Sequence, residues 1–443
     1  MLNPRHLWQE MLTSFWFVPG VVILGHLALA TALIYLDVTV DIHGVRRWPL
    51  LFGAGAAGAR GLLTAVAGSM VTVAGVVFSI TLVALSMTSS QYTSRVLRNF
   101  RGDRVNQTVL GVFVGIFAYC LVVLRTIRGG DEGAFVPSMA VIGALVLALV
   151  GIAVLIYFIH HISVSIQASS IIVRASRETM AAVDRLFPSE LGDPEEEDDA
   201  LETEAMAARS WRAIPASSSG YIQSVATEAL LALARDCDAV VRMDRAIGEF
   251  VVEGEVLASI SSNRHDPEDL TRRLNALYVI GEQRSVHQDA GFGIRQIVDI
   301  ALKALSPGIN DATTAVMCID YLSAILVRVA TRRIATPYRT DGTTLRVIAR
   351  GPRFETMLDE AFTQIRQNGE GNPAVIERLL LAVEIIAGRT ASARRLEALA
   401  RHARACSGVA IRTIRDEDRT RIDEVSARIA AKITQEKGAG FLP

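Results

Sequence analysis

The amino-acid sequence predicts a membrane α-helical bundle of four transmembrane helices, followed by a cytoplasmic α+β region with a small β-barrel-like domain and a helical C-terminal part. Three observations lead to this fold class. Four apolar runs near the amino terminus approach the length of about 20 residues that a helix needs to cross a bilayer. Short β-branched segments follow near the middle of the chain, and amphipathic helical repeats occupy the remainder.

The composition fits an integral membrane protein of several domains. The chain has 443 residues, of which 51% are hydrophobic, and its formal net charge of -1 gives no electrostatic reason to expect nucleic acid as a partner. Cys120, Cys237, Cys318 and Cys406 lie far apart without a C-x-x-C pair, which argues against a disulfide framework and a zinc site. A secreted disulfide-stapled domain and a disordered chain are therefore excluded.

The four apolar runs are assigned to transmembrane helices in chain order. They extend over residues 15–36, 62–87, 109–124 and 135–159. The first run is longer than the apolar core of a secretory signal peptide, and no small-residue cleavage site follows it. On the third run, Gly111-x-x-x-Gly115 predicts a close contact with another helix.

The positions of the arginines predict how the bundle is oriented. The amino-terminal stretch, the second loop and the segment after the fourth helix hold eight arginines together, whereas the first and third loops hold five. Because arginine is enriched on the cytoplasmic side, we expect a multi-pass membrane protein with both termini in the cytoplasm.

The second transmembrane helix carries a stripe of small and hydroxyl residues. Its members recur at helical spacing: Gly68, Thr72, Gly75, Ser79, Ser86 and Ser90. One interpretation is close helix packing, with each hydroxyl bonded to a carbonyl oxygen one turn back. The other is a pore-lining face in an oligomer. The stripe is followed by Arg95, Arg98 and Arg101, which form either a basic vestibule that attracts anions or a cytoplasmic topology anchor.

The cytoplasmic part is divided into three segments after the transmembrane domain of residues 1–162. Residues 163–210 are an amphipathic and acidic connector, residues 211–262 a small β domain, and residues 263–443 a mainly helical domain. Strands are predicted at 221–225, 239–243 and 250–252, and the segment 248–260 indicates two strands around a glycine turn. A helix at 227–235, a strand at 344–348 and helices near 353–368, 373–387, 391–406 and 415–434 complete the prediction.

A polar segment between two predicted helices is a candidate cytoplasmic ligand site or structural junction. Its members are Gln288, Asp289, Arg295, Asp299, Ser306, Asn310 and Asp311. The Ser-Pro-Gly sequence at 306–308 ends one helix, and Asn310 or Asp311 can cap the next, which directs backbone N–H donors at a polar loop. A buried hydrogen-bonded turn and a ligand or ion site both fit this pattern.

No catalytic constellation is found among the motifs of the chain. The segment GAGAAG at 53–58 matches the dinucleotide fingerprint in letters, but it opens an apolar span and lacks the acidic residue about 20 positions on. Phosphate-binding loop, zinc-protease and nucleophile-elbow motifs are absent from the sequence. We therefore expect no enzyme, no cofactor and no metal site.

Three segments carry a resemblance to a known family. The sequences VVFSITLVAL (76–85), SSQYTSRVLRNF (89–100) and ALSPGIND (304–311) resemble the bacterial membrane-protein family catalogued as domain of unknown function 2254. The resemblance covers nearly the whole chain and implies an inner-membrane protein with a cytoplasmic domain, without an activity to carry over. The family pattern has proline after the Asn-Asp pair, whereas Ala312 stands here and leaves the turn without that constraint.

Two functional hypotheses follow from these patterns. The leading one is a homo-oligomeric inner-membrane channel or transport protein in the lipid bilayer, with an inorganic ion or another substrate as the permeating species. Its path would be lined by the second transmembrane helix and regulated by the cytoplasmic domain. Several copies of the chain would be needed, because four short-looped helices leave little room for a path within one chain. The alternative is a membrane-anchored sensor or scaffold whose cytoplasmic domain binds a ligand or protein without transport.

Overall fold

The computed structural model describes residues 16–39, 55–91, 103–129, 135–187, 209–261, 267–334, 336–342 and 344–439. The chain divides into two compact units, residues 1–170 and residues 171–443, and each is described by itself. The arginines of the predicted vestibule, Arg95, Arg98 and Arg101, lie outside the described residues, as does the acidic part of the connector.

The described residues of the first unit form four long apolar helices, which overlap the four predicted spans. They are α1 (Phe17–Thr39), α2 (Ala56–Gln91), α3 (Arg104–Thr126) and α4 (Ser138–Ser165). A fifth helix in the second unit, Ala312–Ala330, is also long and apolar enough to cross a membrane. The predicted count of four transmembrane helices is therefore not confirmed by helix length and composition.

Helix α3 packs against the three other helices of the first unit. Gly111 and Gly115 lie where α1 approaches most closely, as their spacing predicts. A Cβ atom on Gly111 would lie 2.9 Å from the Cα atom of Pro19, and one on Gly115 would lie 2.7 Å from Nδ1 of His26. The absence of side chains at these positions allows the two helix backbones to come together.

Two aspartates hold the ends of neighbouring helices together. The carboxylate of Asp37 accepts hydrogen bonds from the N–H groups of Met139 and Ala140 in the first turn of α4, at 3.0 and 3.1 Å. Asp103 caps α3 by accepting from the N–H of Val105 at 2.9 Å, and its second oxygen lies 2.7 Å from Nε2 of His161 on α4. These contacts fix α4 against α1 and α3.

The second unit begins within α5 (Ala168–Leu186) and contains all the described strands. The strands are β1 (Arg212–Pro215), β2 (Gly220–Val225), β3 (Val240–Met243), β4 (Phe250–Val251), β5 (Val256–Ser261), β6 (Tyr278–Gly281), β7 (Tyr338–Asp341) and β8 (Thr344–Ile348). The remaining helices are α6 (Thr227–Asp236), α7 (Pro267–Asn275), α8 (Ala290–Ala304), α9 (Ala312–Ala330), α10 (Phe354–Asn368), α11 (Pro373–Ala387), α12 (Ala393–Thr413) and α13 (Asp416–Ala439). The predicted strand at 344–348 and the four predicted C-terminal helices are confirmed.

The predicted β-barrel-like domain is wrong, because the described strands form two open sheets. The larger sheet has the order β1-β5-β3-β8-β7, and the smaller one has the order β4-β2-β6. The strands β4 and β5 do not pair with each other across the turn at Gly254, since β4 pairs with β2, and β5 with β1 and β3. The edge of β3 that could have closed a barrel is occupied by β8, which runs parallel to it from far along the chain.

Helix α5 is attached to α8 and α9 by one close contact and one ion-pair cluster. A Cβ atom on Gly293 of α8 would lie 2.1 Å from Oγ1 of Thr179, so the hydroxyl of α5 occupies the place of a side chain. Asp184 accepts from Arg328 at 2.6 and 2.8 Å and from Arg332 at 3.0 Å. The predicted connector, residues 163–210, thus contains a helix that is packed into the second unit.

Candidate functional site

The residues of the predicted polar segment form two separate groups, because helix α8 lies between them. Asp289 caps the amino terminus of α8, whereas Asp311 lies beyond its carboxyl terminus and caps α9. A helix of 15 residues is about 22 Å long at 1.5 Å per residue. The structure therefore brings Asp289, Arg295 and Asp299 into one charged cluster and leaves Ser306, Asn310 and Asp311 in a distant turn.

The charged cluster is built from two ion pairs on and just before α8. The guanidinium of Arg284 donates to both carboxylate oxygens of Asp289, at 2.8 and 3.1 Å. Arg295 donates to Asp299 at 2.8 Å, one helical turn along α8, and to the side-chain oxygen of Gln364 on α10 at 2.8 Å. Only 8% of Asp289 and 6% of Asp299 is exposed, so both carboxylates are largely removed from water.

Two neighbouring groups complete the surroundings of the cluster. The side-chain oxygen of Gln288 accepts the N–H of Val225 at 3.0 Å, which ties the segment before α8 to the end of β2. Gly248, in the loop between β3 and β4, has a positive φ of 87°, and a Cβ atom there would lie 2.3 Å from Asp289. The loop can lie against the Arg284–Asp289 pair because this residue is glycine.

The distant turn is a hydrogen-bonded link between α8 and α9. Ser306 donates to the carbonyl oxygen of Lys303 at 2.7 Å, and Asn310 takes up the left-handed conformation with a φ of 50°. Asp311 accepts from the N–H and the hydroxyl of Thr314, at 3.0 and 2.5 Å. The hydrogen bond from the Thr314 side chain, assisted by the one from its N–H, lowers the pKa of Asp311. All of these interactions are local, as expected for a structural turn.

Replacing Asp311 with alanine tests this structural interpretation. We expect the free energy of unfolding to fall by about 0.5–2 kcal/mol, because α9 loses its amino-terminal cap. Since the pKa of Asp311 is lowered in the folded protein, its contribution is present above the usual pKa of 3.8 and is lost as the pH falls below it. Thermal unfolding of the variant and the parent at neutral pH measures the difference. An unchanged stability together with a lost transport or ligand response would instead favour a binding site.

Three members of the charged cluster were missed by the sequence analysis. Arg284 lies just before α8, and Glu360 and Gln364 lie on α10, with Gln364 69 residues beyond Arg295 in the chain. Only the packing of α10 against α8 brings the latter two to Arg295. In the sequence, the only sign that Glu360 and Gln364 act together is that they lie one turn apart on the same face of an amphipathic helix. Many solvent-exposed helix faces share this spacing, so it does not identify a cluster.

The stripe on α2 lies on the face opposite to the one that packs within the bundle. At about 100° per residue, the stripe and the buried face are on opposite sides of the helix. The buried residues are Ala59, Leu63, Ala67, Met70, Ala74, Val77 and Ala84. Thr72, Ser79 and Ser86 are exposed in the single chain, and no heavy atom would lie within 4 Å of a Cβ on Gly68 or Gly75. The side chain of Ser90 is outside the described part of α2.

One part of the packing interpretation is seen within the stripe itself. The hydroxyl of Thr72 donates to the carbonyl oxygen of Gly68, one turn back, at 2.9 Å. The hydroxyl of Ser69, which lies off the stripe, makes the same bond to Ala65 at 2.7 Å. These hydroxyls donate their hydrogen bonds within α2 itself, so their face of the helix needs no acceptor from another part of the protein.

The chemistry available in the described residues is that of charge and hydrogen bonding. Within them, no group of three or more His, Cys, Asp or Glu side chains has the geometry to hold a metal ion. The charged cluster consists of guanidiniums, which donate hydrogen bonds and stay charged, and of carboxylates, which accept hydrogen bonds and can bind and release protons. The α2 stripe offers hydroxyls and open space beside the helix.

Comparison with known proteins finds one matching family and several similar chains. The family described as predicted membrane protein (DUF2254) matches residues 12–384. The uncharacterized proteins Mb1321c of Mycobacterium bovis and Rv1290c of Mycobacterium tuberculosis are each 36% identical over 344 residues, which is 76% of this chain. The chain spans 65% of the length of these relatives. No solved structure matches the chain.

Proposed function

Because the chain belongs to the DUF2254 family of predicted membrane proteins, we propose that it forms a homo-oligomeric channel or transport path in the bacterial inner membrane. The observation that carries this proposal is the position of the α2 stripe. Its glycines and hydroxyls from Gly68 to Ser86 face away from the described helices of the first unit, where a second copy of the chain can meet them. A symmetric ring of copies would place these residues around a common axis.

The interior of the first unit supports a path between copies over one within a chain. Large side chains fill the described interior, since Phe113, Ile116, Tyr119 and Phe158 are all 0% exposed. The hydroxyl of Tyr119 is bound to the carbonyl oxygen of Ala140 at 2.7 Å. An ion would have to displace several of these groups to pass through a single bundle. Small residues on the outer face of α2 keep a shared path wide and offer hydroxyls to a partly dehydrated ion.

The second unit is proposed to be a cytoplasmic regulatory domain, including its apolar helix α9. Helix α9 makes polar contacts along its whole length, as a helix in the core of a soluble domain does. Its amino terminus is capped by Asp311, Asp320 near its middle pairs with Arg378 of α11, and Arg328 near its end pairs with Asp184. If α9 were surrounded by lipid, these charged side chains would be removed from water, which has a high free-energy cost.

The topology is tested with reporters fused to the chain. A reporter that is active only in the periplasm should be silent after Arg185 and active when placed near Gly44 or Gly130. The reason is the excess of arginines beside the ends assigned to the cytoplasm. The reverse pattern of activities would contradict the cytoplasmic location of the second unit.

Ion flux through reconstituted protein tests the channel itself. We expect stepwise currents in planar bilayers from the parent protein and a loss of at least about tenfold in conductance for Ser79→Leu, because the larger apolar side chain narrows and dewets the path. Ser69→Leu is the matched control, since Ser69 is exposed on the same helix about 80° away from Ser79. Its conductance should stay near that of the parent.

Each other outcome of the flux experiment has a defined meaning. Equal effects of Ser79→Leu and Ser69→Leu would contradict a path along the stripe. If Ser79→Leu only separates the oligomer into single chains, the stripe is a packing surface between copies. A parent protein that is oligomeric and folded but carries no current would favour the sensor or scaffold hypothesis.

A further inference from the structure

The contact between α10 and α12 in the second unit contains a buried histidine. His402 of α12 is 7% exposed, and its Nε2 lies 2.6 Å from Oδ1 of Asp359 on α10. Since an ionised carboxylate only accepts hydrogen bonds, the imidazole donates in this pair. The ring of Phe362, also on α10, meets the imidazole edge to face, with 6.3 Å between the ring centroids. These two contacts fix His402 against α10.

Two arginines lie beside this pair. Arg366 follows Asp359 by seven residues, or two helical turns, so both lie on one face of α10. Burial lowers the pKa of His402 although Asp359 opposes the shift, and two nearby positive charges add to it. These charges are the guanidiniums of Arg366 and Arg401. Arg366 also opposes the rise that burial causes in the pKa of Cys406, one turn farther along α12, so its guanidinium lies close to α12.

The guanidinium of Arg366 has no partner among the described residues. Its Nε atom is buried and donates no hydrogen bond. Neither Arg366 nor Arg401 forms an ion pair within the described part of the chain. A guanidinium stays charged, and a buried donor that lacks an acceptor has a free-energy cost. A ligand that offers oxygen acceptors to Arg366 would remove this cost.

The acidic groups near the two arginines leave them available to such a ligand. Asp359 is the one carboxylate that acts on His402 in the described chain, and it is already bound to that histidine. Glu370 and Glu397, each four residues from one of the arginines, are exposed. Because water screens exposed carboxylates, these two contribute little to neutralising a partly buried guanidinium.

We propose that Arg366 and Arg401 form a binding site for a phosphate-bearing anion at the contact of α10 with α12. A guanidinium presents its N–H groups as a planar fork, which matches two oxygens of a phosphate group. The phosphate supplies the acceptor that Nε of Arg366 lacks, and Arg401 shares its charge. The pair of Asp359 with His402 positions the two helices that carry the arginines. This site belongs to the second unit and does not depend on whether the protein conducts ions.

Equilibrium dialysis of the full-length protein in detergent against radiolabelled pyrophosphate, at constant ionic strength, tests the proposal. We expect saturable binding to the parent and a dissociation constant at least about tenfold higher for Arg366→Gln, because charge-assisted hydrogen bonds to the phosphate are lost. Arg366→Lys keeps the charge but not the fork, so its affinity should lie between those of the parent and Arg366→Gln. Thermal unfolding of each variant shows whether it is folded.

Two exposed arginines of α12 provide a second variant and a control. Arg401→Gln should also raise the dissociation constant, and because Arg401 is exposed, this variant tests the site even if Arg366→Gln fails to fold. Arg412→Gln is the matched control, since Arg412 is exposed on the same helix about 16 Å beyond Arg401. Its dissociation constant should equal that of the parent.

A competition experiment distinguishes a soluble phosphate compound from a lipid headgroup. Mixed micelles that contain phosphatidic acid present the phosphate as a headgroup. Displacement of pyrophosphate by these micelles, but not by phosphatidylcholine micelles, assigns the site to a headgroup, whereas no displacement assigns it to a soluble compound. The proposal is overturned if the folded parent binds neither pyrophosphate nor phosphatidic acid. It is equally overturned if both binding-site variants bind as the parent does, or if Arg412→Gln loses as much affinity as they do.

Discussion

Replacing Gly293 with valine is expected to lower the free energy of unfolding of the second unit by about 3 kcal/mol, the upper end of the usual cost of overpacking. Even a Cβ atom at this position would lie 2.1 Å from Oγ1 and 2.9 Å from Cβ of Thr179. Thr179 is 0% exposed and its hydroxyl donates to the carbonyl oxygen of Ala175, so it has no free direction in which to move. Helix α5 would have to separate from α8.

The measurement is the unfolding of the full-length variant, compared with a glycine in open space. Gly308→Val is the matched control, since no heavy atom would lie within 4 Å of a Cβ there. Its stability should change by much less. Adding Thr179→Ala to Gly293→Val should recover part of the loss, because it removes the nearest of the clashing atoms. Equal stabilities of the two valine variants would show that α5 does not depend on this contact.

Replacing Gly111 with leucine is expected to separate α1 from α3 and to cost about 3 kcal/mol or more in the bundle. The added Cβ atom would lie 2.9 Å from the Cα of Pro19 and 3.0 Å from the Cβ of Val22. The nearest atom belongs to the backbone of α1, which cannot change rotamer to make room. Within a bilayer, close packing of this kind is a main source of helix association.

Thermal stability of the purified variant in detergent measures this effect. Gly25→Leu on α1 is the control, because a side chain there meets no heavy atom within 4 Å and is exposed on the helix. We expect Gly25→Leu to remain as stable as the parent and Gly111→Leu to aggregate or unfold at a lower temperature. If both variants are equally stable, the contact of α1 with α3 is not the one described here.

Sequence pattern determined those parts of the fold that depend on local chemistry. An apolar run of sufficient length can satisfy its backbone in lipid only as a helix, so the four spans of the first unit were predicted close to their observed bounds. Asn310 or Asp311 was predicted to cap a helix, and Asp311 does so by accepting the N–H of Thr314, three residues on. The Gly111 and Gly115 spacing predicted a helix contact, because the motif itself removes the side chains.

Tertiary structure decided everything that depends on which element lies beside which. The strands between residues 220 and 261 were predicted individually, whereas β1 (Arg212–Pro215) was not, and a parallel partner from residues 344–348 turned the expected barrel into an open sheet. The side of α2 that packs within the bundle is lined by alanines at helical spacing, and only the packing of α3 shows that the hydroxyl stripe faces the other way. Glu360 and Gln364 have unremarkable places in an amphipathic helix, and only the packing of α10 on α8 brings them near the charged groups of α8. Local patterns fix backbone conformation, whereas burial and charge balance are properties of the packed neighbours, which a single sequence does not specify.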